Sequence, residues 1–208
     1  KGLYLNGKCR HKDFAVVYRV NFQARAIEDA LRDEAIPYRV MGGISFYHRK
    51  EVKDVLAYMR LAINQNDTVS LRRTINCPPR GIGAATLSKI DHEAKKRSVS
   101  MFAAIRGLVK ANGVAQSVKE KLGGFVKIID QISASDYKSA ADMLKDILDK
   151  TGYMETIEEE RAENINELVS SAEGMDVDEF KDRTALISVL DDKNNENAVS
   201  LMTMHSTK

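Results

Sequence analysis

The sequence predicts a mainly helical domain inserted into an incomplete α/β unit, and three observations carry this. Short apolar, β-branched runs stand near both ends: Phe14 to Val20, Tyr38 to Met41, and Val199 to Met204. The residues between them place apolar side chains at helical rather than alternating spacing. Tryptophan is absent and proline limited to 3 in 208 residues, a composition that favours helices. Two or three strands do not make a buried parallel sheet, so the α/β part is read as a fragment.

Taken in order, Phe14 to Val20 reads as a buried strand and Arg25 to Ala35 as a helix with Ile27, Ala30 and Leu31 on one face. Pro37 ends that helix, and Tyr38 to Met41 forms a second strand stopping at Gly42 and Gly43. Strand, helix, strand is the start of an α/β unit. From Arg49 to Ile63 the pattern becomes helical, with Val52, Val55, Leu56, Met59 and Ala62 in register. Further helices are expected over 69–76, 84–97, 101–109 and 117–132, the last with a stripe of Val118, Leu122, Phe125, Ile129 and Ile132. Ser100 suits the N-cap of the helix at Met101. Helices over 140–151 and 158–172 follow, with Gly152 as the stop of the first. The acidic stretch Asp176 to Glu196 is read as partly loose, and Val199 to Met204 returns to strand. The boundaries are then 1–43 for the strand–helix–strand piece, 44–196 for the helical body and 197–208 for the returning strand.

Hydrophobic content of 43% and charged content of 30% fit a globular chain, and the longest apolar runs are far too short to span a membrane. Cys9 and Cys77 lie far apart without metal spacing, and His48 and His92 lack suitably spaced partners, so no metal site is expected. Net charge is only +2, but it is unevenly spread. Residues 69–97 hold seven bases (Arg72, Arg73, Arg80, Lys89, Lys95, Lys96, Arg97) against Asp91 and Glu93, whereas residues 155–196 hold fourteen acids against four bases. A basic first half beside an acidic second half suggests one surface that faces a polyanion. Solvated helix faces are the plainer reading of such runs.

Two segments carry recognisable chemistry. Arg19, Asn21, Gln23 and Arg25 set charge and amides at the carboxyl end of the first strand, groups suited to phosphate and base contacts. Pro78 and Pro79 end one helix, Arg80, Gly81, Ile82 and Gly83 make a turn, and Ala84 to Leu87 open the next helix at once. A helix, a glycine-rich turn and a helix form a helix-hairpin-helix arrangement. Its exposed amides and helix dipole can cradle a backbone phosphate without reading sequence. Arg80, with Thr86 and Lys89, would add side-chain contacts. Phe46 to Asp54 opens a helix whose Arg49, Glu51 and Asp54 are read as a structural ion-pair cluster. No Gly-x-x-x-x-Gly-Lys-Ser/Thr loop occurs, so this chain alone is not expected to hydrolyse nucleotide. At the other end, Thr203, His205, Ser206, Thr207 and Lys208 follow an apolar strand without a polar tail, which reads as an excised piece of a larger protein.

Six segments together resemble the UvrD/Rep/PcrA-type superfamily 1 DNA helicases: 14–25, 36–43, 46–54, 79–83, 161–168 and 201–208, in the family's order and over nearly the whole chain. The resemblance implies accessory domain 2B over 44–196, flanked by pieces of RecA-like motor domain 2A at 1–43 and 197–208. It implies a parent that is an ATP-dependent helicase moving 3′ to 5′ on single-stranded DNA, in repair or replication, in the bacterial cytoplasm at the nucleoid. ATP and Mg2+ would serve the parent; this portion would bind neither and hold no catalytic residue. DNA-binding positions implied are Arg19, Asn21, Arg80, Gly81, Ile82, Gly83, Thr86, Thr203 and His205. Lys208 is implied to couple the DNA groove to the nucleotide, in a motif that the family continues as Gly-Leu-Glu-Phe, and cut there it and His205 are expected to be poorly ordered or non-natively packed. Gln23-Ala24-Arg25 stands where Gln-Ser-Arg is commoner. Two alternatives remain open: a module whose acidic stretch 155–196 docks repair or transcription proteins, and a portion of a helicase–nuclease fusion.

Overall fold

A computed structural model describes residues 9–19, 23–41, 44–185 and 196–204. Its smaller part is a three-stranded parallel sheet of β1 (Ala15–Tyr18), β2 (Tyr38–Val40) and β3 (Val199–Thr203), in the order β1-β3-β2. The strand from the far end of the chain therefore lies in the middle. Leu201 pairs with Val16 on one side and Val40 on the other, and it is fully buried. Tyr18, Ala24, Tyr38, Val199 and Leu201 form the core of this part, with Ile27 and Leu31 packed on it. Because β3 closes the sheet, residues on either side of the helical body belong to one unit.

Helix α1 (Gln23–Asp33) joins the two parts. The expected face of Ile27, Ala30 and Leu31 is corrected: Ala30 is exposed, and the buried residues are Ala24, Glu28, Asp29 and Arg32. The physical reason is that α1 has neighbours on two sides. Ile27 and Leu31 meet the sheet, while the carboxylates meet polar groups of the helical body. Glu28 accepts from the Ser45 hydroxyl at 2.6 Å and the Phe46 amide at 3.1 Å, and Asp29 accepts from Arg32 at 2.8 Å and the Tyr47 hydroxyl at 3.2 Å.

The helical body is built around α2 (Lys50–Ile63), which has Val52, Val55, Leu56, Tyr58, Met59, Leu61 and Ala62 buried and so lies at its centre. Around it come α3 (Thr68–Thr74), α4 (Ala84–Arg97), α5 (Met101–Lys110), α6 (Gln116–Ala134), α7 (Ala140–Thr151) and α8 (Glu159–Ser171). Leu122, Phe125, Ile129 and Ile132 form the buried stripe of α6. Ser100 caps α5 by accepting from the Ala103 amide, and Gly152 closes α7 at φ +63°, where a Cβ would be strained. Within the acidic stretch read as partly loose, α9 (Val177–Ala185) is a helix, capped by Asp176 on the Glu179 amide at 2.7 Å and anchored by buried Phe180 and Thr184. Its acidity hid a short apolar stripe. Residues 186–195 lie outside the described residues.

Arg49, Glu51 and Asp54 are structural as expected, but their partners come from elsewhere. Glu51 accepts from Asn164 at 2.7 Å, Arg49 also contacts Asn164, and Asp54 pairs with Arg73 at 2.7 Å and the Tyr153 hydroxyl at 2.8 Å. The start of α2 is thereby tied to α3, α8 and the 3-10 turn Tyr153–Thr156.

Candidate nucleic-acid interface

The turn between α3 and α4 is held by two side chains from within it. Asn76 accepts, through its side-chain oxygen, from the amides of Arg80 at 2.8 Å and Ile82 at 3.2 Å. This folds the loop back on the end of α3. Arg80 then caps the helix: its Nη1 donates to the carbonyls of Thr74, Ile75 and Pro78 at 3.0, 3.4 and 3.3 Å. Helix ends leave such carbonyls without partners, and a guanidinium satisfies several at once. The same guanidinium lies 5.4 Å from the Phe125 ring centre and 5.8 Å from that of Tyr58. Arg80 is thus a half-buried part of the turn, with its donors turned inward. The sequence suggested a cation reaching out to phosphate; the partners that hold it in are Tyr58 and Phe125, far away along the chain.

Ile82 is 3% exposed and pins the turn into the body. Gly81, at φ +67°, supplies the left-handed residue the turn needs. The Lys121 ammonium donates to the Gly81 carbonyl at 3.2 Å, an outer cation that the sequence pattern did not indicate because α6 is remote from the turn in sequence. Gly83 precedes α4 with no side-chain cap, and a Cβ placed there would meet nothing within 4 Å. Among the described residues no protein group accepts from the amides of Gly83, Ala84 and Ala85. Three donors therefore point outward at the positive end of a 14-residue helix. Thr86 is half-buried and Lys89 exposed on the first turns of α4.

A second group gathers at the carboxyl edge of the sheet. Tyr18 pairs with Thr203, so Arg19 and Thr203 stand at the ends of adjacent parallel strands. Arg19 is exposed, and its amide donates to the Gln23 side chain at 3.1 Å. Asn21, His205 and Lys208 lie outside the described residues. The Arg25 guanidinium is committed to Asp29 at 2.9 Å and Glu167 at 2.5 Å, which ties α1 to α8. Among the described residues no group of three His, Cys, Asp or Glu could hold a metal, and no helix is long and apolar enough to cross a membrane.

A parallel sheet closed by a returning strand, with a helical body between, agrees with a sequence match over residues 4–208 to the UvrD-like helicase C-terminal domain. The chain belongs to that family. It is 38% identical over 208 residues to a probable DNA helicase II homolog of Rickettsia conorii, covering 94% of this chain and 32% of that protein. It is 34% identical over 220 residues to the ATP-dependent DNA helicase PcrA of Staphylococcus aureus, covering 98% of this chain and 30% of that protein. The chain thus spans about a third of the length of these relatives. Within this UvrD-like domain, the glycine turn presents free amides beside the exposed Lys121, and the carboxyl edge of the sheet presents Arg19.

Proposed function

We propose that this UvrD-like domain is the DNA-contacting and regulatory portion of an ATP-dependent helicase that translocates 3′ to 5′ on single-stranded DNA. Residues 44–196 act as accessory domain 2B, and 1–43 with 197–208 belong to motor domain 2A. The two separate apolar cores, one around the sheet and one around α2, support this division. The α3–α4 turn is a helix-hairpin-helix element that holds the backbone of duplex DNA, while Arg19 and Thr203 lie toward the single strand.

The observation that carries the reading is the row of unaccepted amides at Gly83, Ala84 and Ala85 beside Lys121. Amides at a helix N-terminus bind a phosphate without regard to sequence, as an enzyme moving along any duplex requires. Arg80 serves as the brace that sets those amides, and Lys121 adds charge at the mouth. ATP and Mg2+ would act in the parent helicase, and Lys208 lies outside the described residues.

The test is fluorescence anisotropy of the chain with a duplex/single-strand junction across a salt series. The logarithm of affinity is expected to fall linearly with the logarithm of salt, with a slope reporting a few phosphate contacts. Gly81→Ala, which strains φ +67° and brings a Cβ within 2.9 Å of the Lys121 ammonium, should weaken junction binding with little loss of helix content. Salt-independent binding, or full affinity in that variant, would refute the reading.

A further inference from the structure

At the other end of the helical body, an open groove of about 440 Å³ lies between the carboxyl ends of α2 and α6 and the start of α9. Ile132 and Met143 are buried beneath it, and Ile63, 41% exposed, stands at its edge with Val177. Its rim is acidic, with Asp136, Asp176 and Asp178 lining it and no lysine or arginine among the lining residues. Asp178 is paired with Lys181 at 2.5 Å, and Asp176 spends one oxygen on the Glu179 amide. Asp136 is exposed and has no hydrogen bond or ion pair to a described residue. An exposed apolar edge beside one unpaired carboxylate fits a partner that offers the reverse: an apolar side chain flanked by cations.

Along α2 the groove is removed from the sheet, although α9 meets α1 through Arg183, 3.5 Å from Asp33. The start of α2 lies beside Ser45 and Phe46, which bond to α1, whereas Ile63 is thirteen residues further along, roughly 20 Å away. It is also removed from the glycine turn. Lys121 and Ile132 are eleven residues apart on α6, roughly 16 Å. We infer that this groove docks a separate protein through a basic amphipathic helix, which lays a leucine-like side chain on Ile63 and Val177 and sets lysine or arginine against Asp136. The site leaves the DNA-facing turn free, so a partner could hold the helical body while the domain is on DNA. The inference stands independently of the helicase reading, because neither the turn nor the sheet edge forms part of the groove.

The experiment uses a fluorescent synthetic helical peptide with a leucine face flanked by lysines, and a copy with glutamates in place of the lysines. Isotope-labelled chain is titrated with each at physiological salt and followed by amide shifts. The lysine peptide is expected to shift Ile63, Ser133, Tyr137 and Val177. The double variant Ile63→Asp/Asp136→Lys should weaken it by about tenfold or more. Both positions are exposed, so the variant should keep its circular dichroism. The Gly81→Ala variant should bind the peptide as the parent sequence does, which separates failure here from failure of the DNA reading. Shifts scattered over α8, equal binding of the glutamate peptide, unchanged affinity in the double variant, or displacement of the peptide by junction DNA would each overturn the inference.

Discussion

The Nη2 of Arg80 donates to the hydroxyl of Tyr58 at 2.6 Å, and that hydroxyl faces the Thr74 carbonyl at 3.0 Å. One residue of the turn and one of the central helix thus close the same helix end. The turn that presents the amides of Gly83 to Ala85 is therefore set by the core of the body rather than by its own loop sequence.

Replacing Arg80 with alanine should cost about 2–3 kcal/mol of stability, because several carbonyls lose a charged donor and the ring contacts go with it. Arg80→Lys should recover little, since an ammonium cannot span the same acceptors. Urea denaturation checks both. A loss under 0.5 kcal/mol, roughly that of an ordinary surface change, would show that the guanidinium does not hold the turn.

Alkali should unfold the helical body cooperatively. Burial pushes the Tyr58 hydroxyl up to about 12, with Arg80 opposing part of the shift. Tyr47 is likewise pushed up to about 12 by burial and the Asp29 carboxylate. A raised folded pKa means that the neutral phenol is favoured in the fold. The stability is whole below the unfolded value of 10.0 and is lost as pH climbs from there toward about 12. Tyrosinate absorbance and circular dichroism should change together, and Tyr58→Phe should flatten the pH slope while lowering stability at neutral pH.

Acid should act at two helix sites. For Asp67, desolvation raises the pKa, but hydrogen bonds from the Ser70 hydroxyl and amide bring it below the ordinary 3.8. For Asp146, desolvation again opposes, and Lys150 with the Tyr137 hydroxyl brings it below 3.8. Depressed carboxylates lend stability that is full above the unfolded value and fades as pH falls below about 3.8. Denaturation midpoints measured between neutral pH and pH 3 should fall more steeply for the parent sequence than for Asp67→Asn or Asp146→Asn.

The junction between the two parts rests on Glu28, fully buried, which accepts from Ser45, Phe46 and Tyr38. Glu28→Ala should cost about 3 kcal/mol, since it leaves three buried donors without their acceptor. Amide exchange should quicken at Phe46 and Tyr38 but not in α6. Uniform loss of protection across the chain would mean that the joint is not a separate cooperative element.

Most helices were legible because their signals are local: the stripe of α6, Ser100 before α5, Gly152 after α7. What the sequence hid was the residue-by-residue partners across long separations. Alternation marks Val199 to Met204 as a strand, but nothing in it says that Leu201 sits between Val16 and Val40. The helix at Val177 was masked by its acids, although Phe180 and Thr184 carry its buried face. Arg80 was visible as a cation in a glycine turn, while its task depends on Tyr58 and Phe125, which spacing cannot supply. Lys121 was invisible as a site residue for the same reason.

Residue-resolved amide NMR of the chain, on adding a duplex/single-strand junction at low salt, tests most directly whether the glycine turn holds DNA. The largest shifts are expected at Gly83, Ala84 and Ala85, with slowed exchange there and a smaller response at Gly81. Junction binding that leaves those three amides unmoved, with the changes elsewhere on the surface, would contradict it.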